Sequence, residues 1–228
     1  MVAILRKYFC FIVRFVFVAL LAFPVMSQAL DKKAQSDESE NLIAVIAFQP
    51  LRPEGGTGNT VLCPICGKAS AGGIIQEGAE KIVEEIFVEQ LKARDDIVLV
   101  PAEKLQKATQ KYSTDSMKDF QATGLLKIGR ELKADFLVVG YVYRFAERVG
   151  YRYSSEHPAS VVFEIHLIRT ADGKSVWRGY FDKTQRSLME NVLDISSFFK
   201  GGAKWMTARE LTELGMENVF QTFPDFQP

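Results

Sequence analysis

The sequence contains few of the residues on which catalysis and metal binding most often depend: two histidines and three cysteines among 228 residues. The two histidines, His157 and His166, give no ordered serine–histidine–acid set of the kind that hydrolases use. The glycine-rich stretch GGTGNT at residues 55–60 lacks the lysine and the serine or threonine that follow the last glycine of a phosphate-binding loop. These absences favour a protein that is not an enzyme and that needs no cofactor.

An excess of charge of one sign is also missing, because 28 basic and 28 acidic residues cancel. No basic run offers an electrostatic footprint for nucleic acid. Beyond residue 29, no apolar stretch reaches the length of about 20 residues that a bilayer-spanning helix needs. We therefore expect no nucleic-acid partner, and membrane contact only through other proteins.

The amino terminus has the pattern of a cleaved secretory signal. Basic residues precede the apolar stretch FVFVALLAF at residues 15–23, and SQA at residues 27–29 supplies small residues for cleavage. The alternative is a membrane anchor, but Arg14 would lie near the middle of the apolar run and would be costly there. We favour cleavage and export, which predicts a periplasmic product.

Composition divides the chain into four segments: a signal peptide at residues 1–29, a flexible leader at 30–41, an α/β domain at 42–185 and a helical C-terminal appendage at 186–228. The leader is charged and nearly free of large apolar residues, which is typical of a flexible segment. In the appendage, Thr207 and Glu210 have the spacing of a helix capping box. The appendage either packs on the sheet or supplies a surface for a partner.

Strand and helix patterns alternate through the α/β segment. Apolar runs predict strands at residues 42–48, 96–101 and 134–145, and apolar residues at helical spacing predict helices at 75–91, 102–112 and 117–132. Residues 159–170 alternate, with apolar side chains inward and with Glu164 and His166 outward. The ADG turn at 171–173 predicts a hairpin to a last strand. Helical crossovers join parallel strands and hairpins join antiparallel ones, so we predict an α/β fold with a mixed sheet of about five strands packed with helices in two or three layers.

The sequence CPIC places Cys63 and Cys66 three positions apart. In an oxidising envelope we favour a disulfide that pins the tip of a glycine-rich loop. A zinc site within the chain, completed by His157 or His166, is one alternative, and a zinc site shared between two chains is another. Thiol exchange is a third alternative, although it needs a thiolate near a helix amino terminus and GKASAGG separates Cys66 from the predicted helix. Two unpaired thiols without a specific role are a fourth alternative.

Aromatic and basic residues are densest where the third predicted strand ends and a turn region follows. Tyrosine and arginine are favoured at protein interfaces. A strand end with an exposed turn has the same composition, so both interpretations stay open. The candidate partner-surface residues are Tyr141, Tyr143, Arg144, Tyr151, Arg152 and Tyr153.

Two stretches share a further pattern: LLKIGRELKADFLVVGYVYRF at residues 125–145 and VVFEIHLIRTADGKSVWRGYF at residues 161–181. A helix leads through an ADxxVxG strand to a hairpin, whose turn holds a glycine and whose return strand holds a tryptophan. This order resembles an α/β module of bacterial envelope proteins, as in the amino-terminal domain of TolB, in LpoB and in CsgG. The resemblance covers about residues 42–184 and depends on apolar positions together with Gly140, Gly173 and Trp177.

The resemblance implies a non-enzymatic, protein-binding or assembly module of the cell envelope. Its partners would be other envelope proteins or a second copy of the chain. The alternative is an envelope protein that uses the CPIC loop for thiol redox chemistry or for metal binding. The candidate contact regions are the CPIC loop, the segment 141–153 and the tail helices.

Overall fold

The computed structural model describes residues 41–53, 59–112, 124–151, 154–185 and 205–226. The predicted signal peptide, the leader up to residue 40 and the first part of the predicted appendage lie outside these ranges. The first part of the helix predicted at 117–132 also lies outside them.

The described residues form ten strands and four helices. The strands are β1 (Asn41–Val45), β2 (Gln49–Pro50), β3 (Thr60–Leu62), β4 (Ala69–Ala71), β5 (Ile97–Leu99), β6 (Phe136–Ala146), β7 (Val149–Tyr151), β8 (Ser154–His157), β9 (Ser160–Arg169) and β10 (Ser175–Thr184). The helices are α1 (Ala79–Lys92), α2 (Ala102–Tyr112), α3 (Leu125–Leu132) and α4 (Ala208–Phe220). Within these ranges, no helix is long and apolar enough to cross a membrane.

The main sheet has the strand order β10-β9-β6-β1-β5, and the short strand β2 also pairs with β6. Pairing is parallel between β1 and both β5 and β6, and between β2 and β6. Pairing is antiparallel between β9 and both β6 and β10. The predicted α/β class and the mixed sheet are therefore confirmed, with six strands where about five were expected.

One face of this sheet, the apolar face, is covered by α1 and α4. The apolar stripe predicted for the first helix is confirmed, because α1 buries five residues: Ala79, Val83, Ile86, Phe87 and Leu91. The chain end adds aromatic rings, with Phe223 centred 4.8 Å from Trp177 and 6.2 Å from Phe87. The C-terminal helix thus packs on the sheet, which was one of the two alternatives for the appendage.

Helix α4 begins with the predicted capping box. The Thr207 hydroxyl accepts a hydrogen bond from the Glu210 amide (3.1 Å), and the Glu210 carboxylate accepts one from the Thr207 amide (2.8 Å). These two bonds satisfy amides that have no partner inside the helix. Gly215 lets the helix approach β10 closely, since a Cβ atom there would lie 2.6 Å from the Phe181 ring. The start of the helix is therefore specified locally, and its close contact with β10 depends on Gly215.

The opposite face of the sheet, the hairpin face, is covered by α2, α3 and the β3–β4 hairpin. The predicted alternation of the central strand is confirmed: four residues of β6 point to this face, Leu137, Val139, Tyr141 and Tyr143. The three layers are thus helices, sheet, and a mixed layer of helices and hairpin. This mixed layer brings the CPIC loop over the middle of the sheet.

Candidate functional site

The turn between β3 and β4 holds both cysteines over the hairpin face. The Cys63 amide donates to the Lys68 carbonyl (2.9 Å), and the Gly67 amide donates to the Cys63 carbonyl (2.9 Å). Gly67 has φ of 68°, a left-handed conformation that glycine adopts without a steric cost. The result is a tight turn in which Cys63 is buried and Cys66 is exposed.

Strand β9 contributes Glu164 and His166, which lie two positions apart and therefore share one face of the sheet. Both side chains are 0% exposed. Their predicted position opposite the apolar residues of the strand is correct, but the predicted outward orientation is wrong, because this face is buried. The β3–β4 hairpin covers this face, so the strand is buried on both sides.

Four side-chain atoms converge between the hairpin and β9. Cys63 Sγ lies 3.2 Å from His166 Nε2, and Cys66 Sγ lies 3.2 Å from Glu164 Oε1. His166 Nε2 is 2.9 Å from the same Glu164 oxygen. One ligand atom from each residue lies within 4.8 Å of the other three. The hairpin and the strand are about one hundred residues apart in sequence, so only the fold brings these groups together.

Glu164 has no contact with solvent, yet its surroundings favour the charged form of its carboxylate. Burial by itself raises its pKa, but hydrogen bonds from four neighbours outweigh burial and hold the pKa well below its usual range. Those neighbours are His166, Arg178, Cys66 and Tyr143, of which the Tyr143 hydroxyl donates to Oε2 at 3.0 Å and the Arg178 Nε donates to Oε1. A buried carboxylate with several donors stays ionised. The site therefore contains a fixed negative charge.

The Cys63 thiol has the opposite tendency. Burial raises its pKa, and hydrogen bonds from the backbone amides of Cys66 and Ile65 offset this only in part. Thiol exchange requires an accessible thiol with a lowered pKa, so this environment does not favour it for Cys63. The backbone donors are still aimed at the sulfur, where they would support a negative charge.

The predicted disulfide is not present in the structure, where both cysteines are free. Each sulfur faces a β9 side chain: Cys63 contacts His166 and Cys66 contacts Glu164. His157, the other histidine considered from the sequence, is exposed on β8 and is not part of the cluster. Two sulfurs, an imidazole nitrogen and a carboxylate oxygen are atoms that can bind a transition-metal ion.

The structure buries some members of the predicted aromatic and basic partner surface and exposes others. Tyr141 and Tyr143 are buried on the hairpin face, so their interpretation as surface residues is corrected. Arg144 pairs with Asp182 at 2.6 Å, and Tyr151 is 83% exposed. The remaining two members of the predicted set lie outside the described residues.

His166 is among the zinc ligands predicted from the sequence, whereas Glu164 is not. The available signal was the pattern of β9 itself, where a carboxylate and an imidazole interrupt one face of a strongly apolar strand. Arg178 and Ser175, which contact these two groups, carried no sequence signal. Their roles depend on the antiparallel pairing of β9 with β10, in which Arg178 lies opposite His166.

No family model matches the chain, and no curated protein matches it either. Solved structures do show similarity. The PelC dodecamer from Paraburkholderia phytofirmans has 13% identity and a TM-score of 0.42, with 80% of this chain and 86% of that chain covered. The lipoprotein GNA1162 from Neisseria meningitidis has 13% identity and a TM-score of 0.43, with 72% and 98% covered.

The C-terminal domain of LpoB from Salmonella enterica is a third similar structure. It has 16% identity and a TM-score of 0.39, and 71% of this chain and 94% of that chain are covered. LpoB is therefore among the solved structures that this chain resembles, as the sequence motifs indicated. The TolB and CsgG parts of that resemblance rest on the motifs alone.

Proposed function

We propose that the chain is a non-enzymatic, protein-binding module of the bacterial cell envelope. The observation that supports this proposal is the position of its exposed apolar residues. Among the described residues, four large hydrophobic side chains are exposed: Leu62 (65%), Ile74 (73%), Val149 (50%) and Tyr151 (83%). All four belong to two segments, residues 59–75 and the β7–β8 hairpin.

The two segments adjoin the same end of the central strand. The Ile74 carbonyl accepts a hydrogen bond from the Phe145 amide at 2.8 Å, and Ile75 forms a parallel bridge to Phe145. Val149 begins β7 three residues after Ala146, where β6 ends. Single exposed hydrophobic residues are ordinary, but Ile74 and the β7 residues adjoin the same end of β6, and exposed apolar residues that lie together mark interaction sites.

The amino-terminal pattern specifies where the partner would be found. A cleaved signal at residues 1–29 would deliver the remainder of the chain to the periplasm. The partner is then another envelope protein that offers an apolar surface to Ile74 and Tyr151. Aromatic side chains such as Tyr151 are enriched among the residues that dominate binding energy.

Site-specific photo-cross-linking in cells tests this proposal. A photoreactive phenylalanine analogue replaces Leu62, Ile74 or Tyr151 in turn, and Glu217 serves as an exposed control position on α4. We expect adducts with an envelope protein at the first three positions and none at Glu217. Equal labelling at Glu217, or no adduct at any of the three apolar positions, contradicts the proposal.

Binding by the purified chain provides the second measurement. The double substitution Ile74→Ser and Tyr151→Ser removes two exposed apolar side chains without opening a cavity in the core. Loss of one residue that dominates an interface costs about 2 kcal/mol or more, so we expect affinity for the cross-linked partner to fall at least about 30-fold. Unchanged affinity in this variant would place the interface elsewhere on the chain.

A further inference from the structure

We infer that Cys63, Cys66, Glu164 and His166 bind one Zn²⁺ ion that ties the β3–β4 hairpin to the central sheet. The inference is independent of the protein-binding proposal, because it rests on the cluster beneath the hairpin and not on the exposed residues. It concerns a structural ion. Four protein ligands complete a tetrahedral zinc site and leave no open coordination position for catalysis.

The separations between the ligand atoms fit a tetrahedral ion after small movements. Bond lengths of about 2.3 Å to sulfur and about 2.0 to 2.1 Å to nitrogen or oxygen place neighbouring ligand atoms about 3.3 to 3.8 Å apart. The closest pairs in the structure are separated by 2.9 and 3.2 Å, and no pair exceeds 4.8 Å. Shifts of roughly half an ångström in side-chain rotamers therefore produce the coordination geometry.

The types of ligand select zinc among the common metal ions. Thiolates exclude Mg²⁺ and Ca²⁺, which prefer oxygen ligands. A carboxylate and an imidazole beside two thiolates suit a borderline ion such as Zn²⁺ better than Cu⁺, which prefers purely soft ligands. The spacing of Cys63 and Cys66 is also typical of one half of a zinc site. Here β9 supplies the other half.

The hydrogen bonds around His166 orient a lone pair toward the proposed ion. Ser175 Oγ donates its only hydrogen to the Trp177 carbonyl (3.2 Å), and it lies 3.1 Å from His166 Nδ1. With the ion bound, Nδ1 would carry the ring hydrogen and donate it to Ser175 Oγ, which leaves the Nε2 lone pair for the metal. Without the ion, Nε2 lies 2.9 Å from Glu164 Oε1 and donates to this carboxylate, so the ring hydrogen would change nitrogen when zinc binds. A hydrogen-bond acceptor that fixes the second nitrogen of a ligating histidine is common in metal sites.

The charges of the four ligands and of Arg178 balance with a divalent ion in place. Two thiolates and the Glu164 carboxylate carry three negative charges, and Zn²⁺ together with the Arg178 guanidinium carries three positive charges. Arg178 is partly buried and contacts the Glu164 oxygen that faces the site. Unbalanced buried charge is costly, so neutrality favours the loaded state. Cys66 is exposed and gives the ion a path from solvent.

Metal content and spectroscopy test the inference on protein expressed from the full-length sequence. After reduction and removal of metals, the protein is titrated with Zn²⁺ and, separately, with Co²⁺. We expect one ion per chain, release of the two thiol protons, and the visible and near-ultraviolet bands of tetrahedral cobalt with thiolate ligands. Absence of stoichiometric binding by the folded, reduced chain overturns the inference.

Matched variants assign the ligands. Cys66→Ser and Glu164→Gln should abolish stoichiometric zinc binding, while His157→Gln and Glu156→Gln, at exposed positions outside the cluster, should leave it unchanged. Cys66 is exposed, so its variant is expected to fold even where substitution of a buried ligand does not; circular dichroism checks this. Zinc bound equally well by the folded Cys66→Ser variant would overturn the assignment.

Substitution of a residue that hydrogen-bonds to a ligand without touching the ion should lower zinc affinity only in part, an effect that differs from the complete loss expected of an unfolded variant. Ser175→Ala and Tyr143→Phe remove one hydrogen bond each from a ligand and should weaken zinc affinity about 10- to 100-fold while one ion still binds per chain.

The state that competes with zinc binding is a disulfide between Cys63 and Cys66. If the chain purified from the periplasm is lighter by two hydrogen atoms, and re-forms this bond after reduction in the presence of zinc, the inference fails. Partner capture is measured separately and does not depend on this outcome.

Discussion

The two faces of the sheet are built in different ways. The apolar face packs α1 and α4 against aromatic and aliphatic side chains, and Phe87, Leu211 and Met216 there are 0% exposed. The hairpin face buries Glu164 and His166 at the same 0% exposure. Apolar burial is non-directional and tolerates small displacements, whereas a buried charge must keep each of its partners.

The difference has a consequence for stability. Loss of one apolar contact weakens the apolar face by the area and cavity involved. Loss of one polar partner on the hairpin face leaves another buried group unsatisfied, and it therefore disturbs the hairpin as a unit. The first face is expected to hold the domain together, and the polar cluster of the second is expected to hold the β3–β4 hairpin in one position.

The largest expected effect is on the apolar face. Phe87→Ala removes a ring that lies 5.8 Å from Phe48 and 5.2 Å from Phe220, and it should lower the free energy of unfolding by about 3 to 5 kcal/mol. Urea unfolding followed by circular dichroism measures this change. Lys92→Ala, at an exposed position of the same helix, serves as the control. A loss below about 1 kcal/mol for Phe87→Ala would mean that α1 does not anchor this face.

Removal of zinc should have a smaller effect that is confined to the hairpin face. An ion present at 100 times its dissociation constant stabilises the folded state by about 2.7 kcal/mol, and a chelator should remove this amount. Hydrogen exchange should show lost protection at the amides of Cys63 and Gly67, which form the turn, and unchanged protection in α1. The chelator should not affect Cys66→Ser. Equal loss of protection on both faces would show that the faces are not independent.

The smallest expected effect concerns an ion pair at the rim of the apolar face. Asp96 accepts hydrogen bonds from Arg94 (2.8 Å) and from the Phe226 amide (3.1 Å), and the bond from Arg94 is the main reason that its pKa is lowered. A lowered pKa contributes stability above the unfolded value of about 3.9, and the contribution fades as pH falls through the folded value.

Asp96→Asn should therefore cost about 1 kcal/mol or less at pH 7. Since the wild-type carboxyl becomes protonated in acid, the difference between the variant and the wild type should shrink below pH of about 4. Thermal unfolding at several pH values measures it. A difference that persists unchanged in strong acid would show that the Asp96 charge plays no part.

Much of the fold followed from local patterns. The apolar stripe of α1, the capping box at Thr207, the ADG turn and the alternation of β6 were all predicted, because each is a property of a few consecutive residues. The turn required a glycine at position 173, where φ is 72°. The order of these elements then limited the sheet to a mixed arrangement.

The amino-acid sequence by itself determined the elements, their apolar faces and the presence of two closely spaced cysteines. Only the tertiary structure decided that the β3–β4 hairpin covers the sheet, which buries Glu164 and His166 and brings them to Cys63 and Cys66. The alternation of β9 shows which residues share a face but not whether that face meets solvent. Contacts between residues about one hundred positions apart depend on how the layers stack, and no local pattern encodes that stacking.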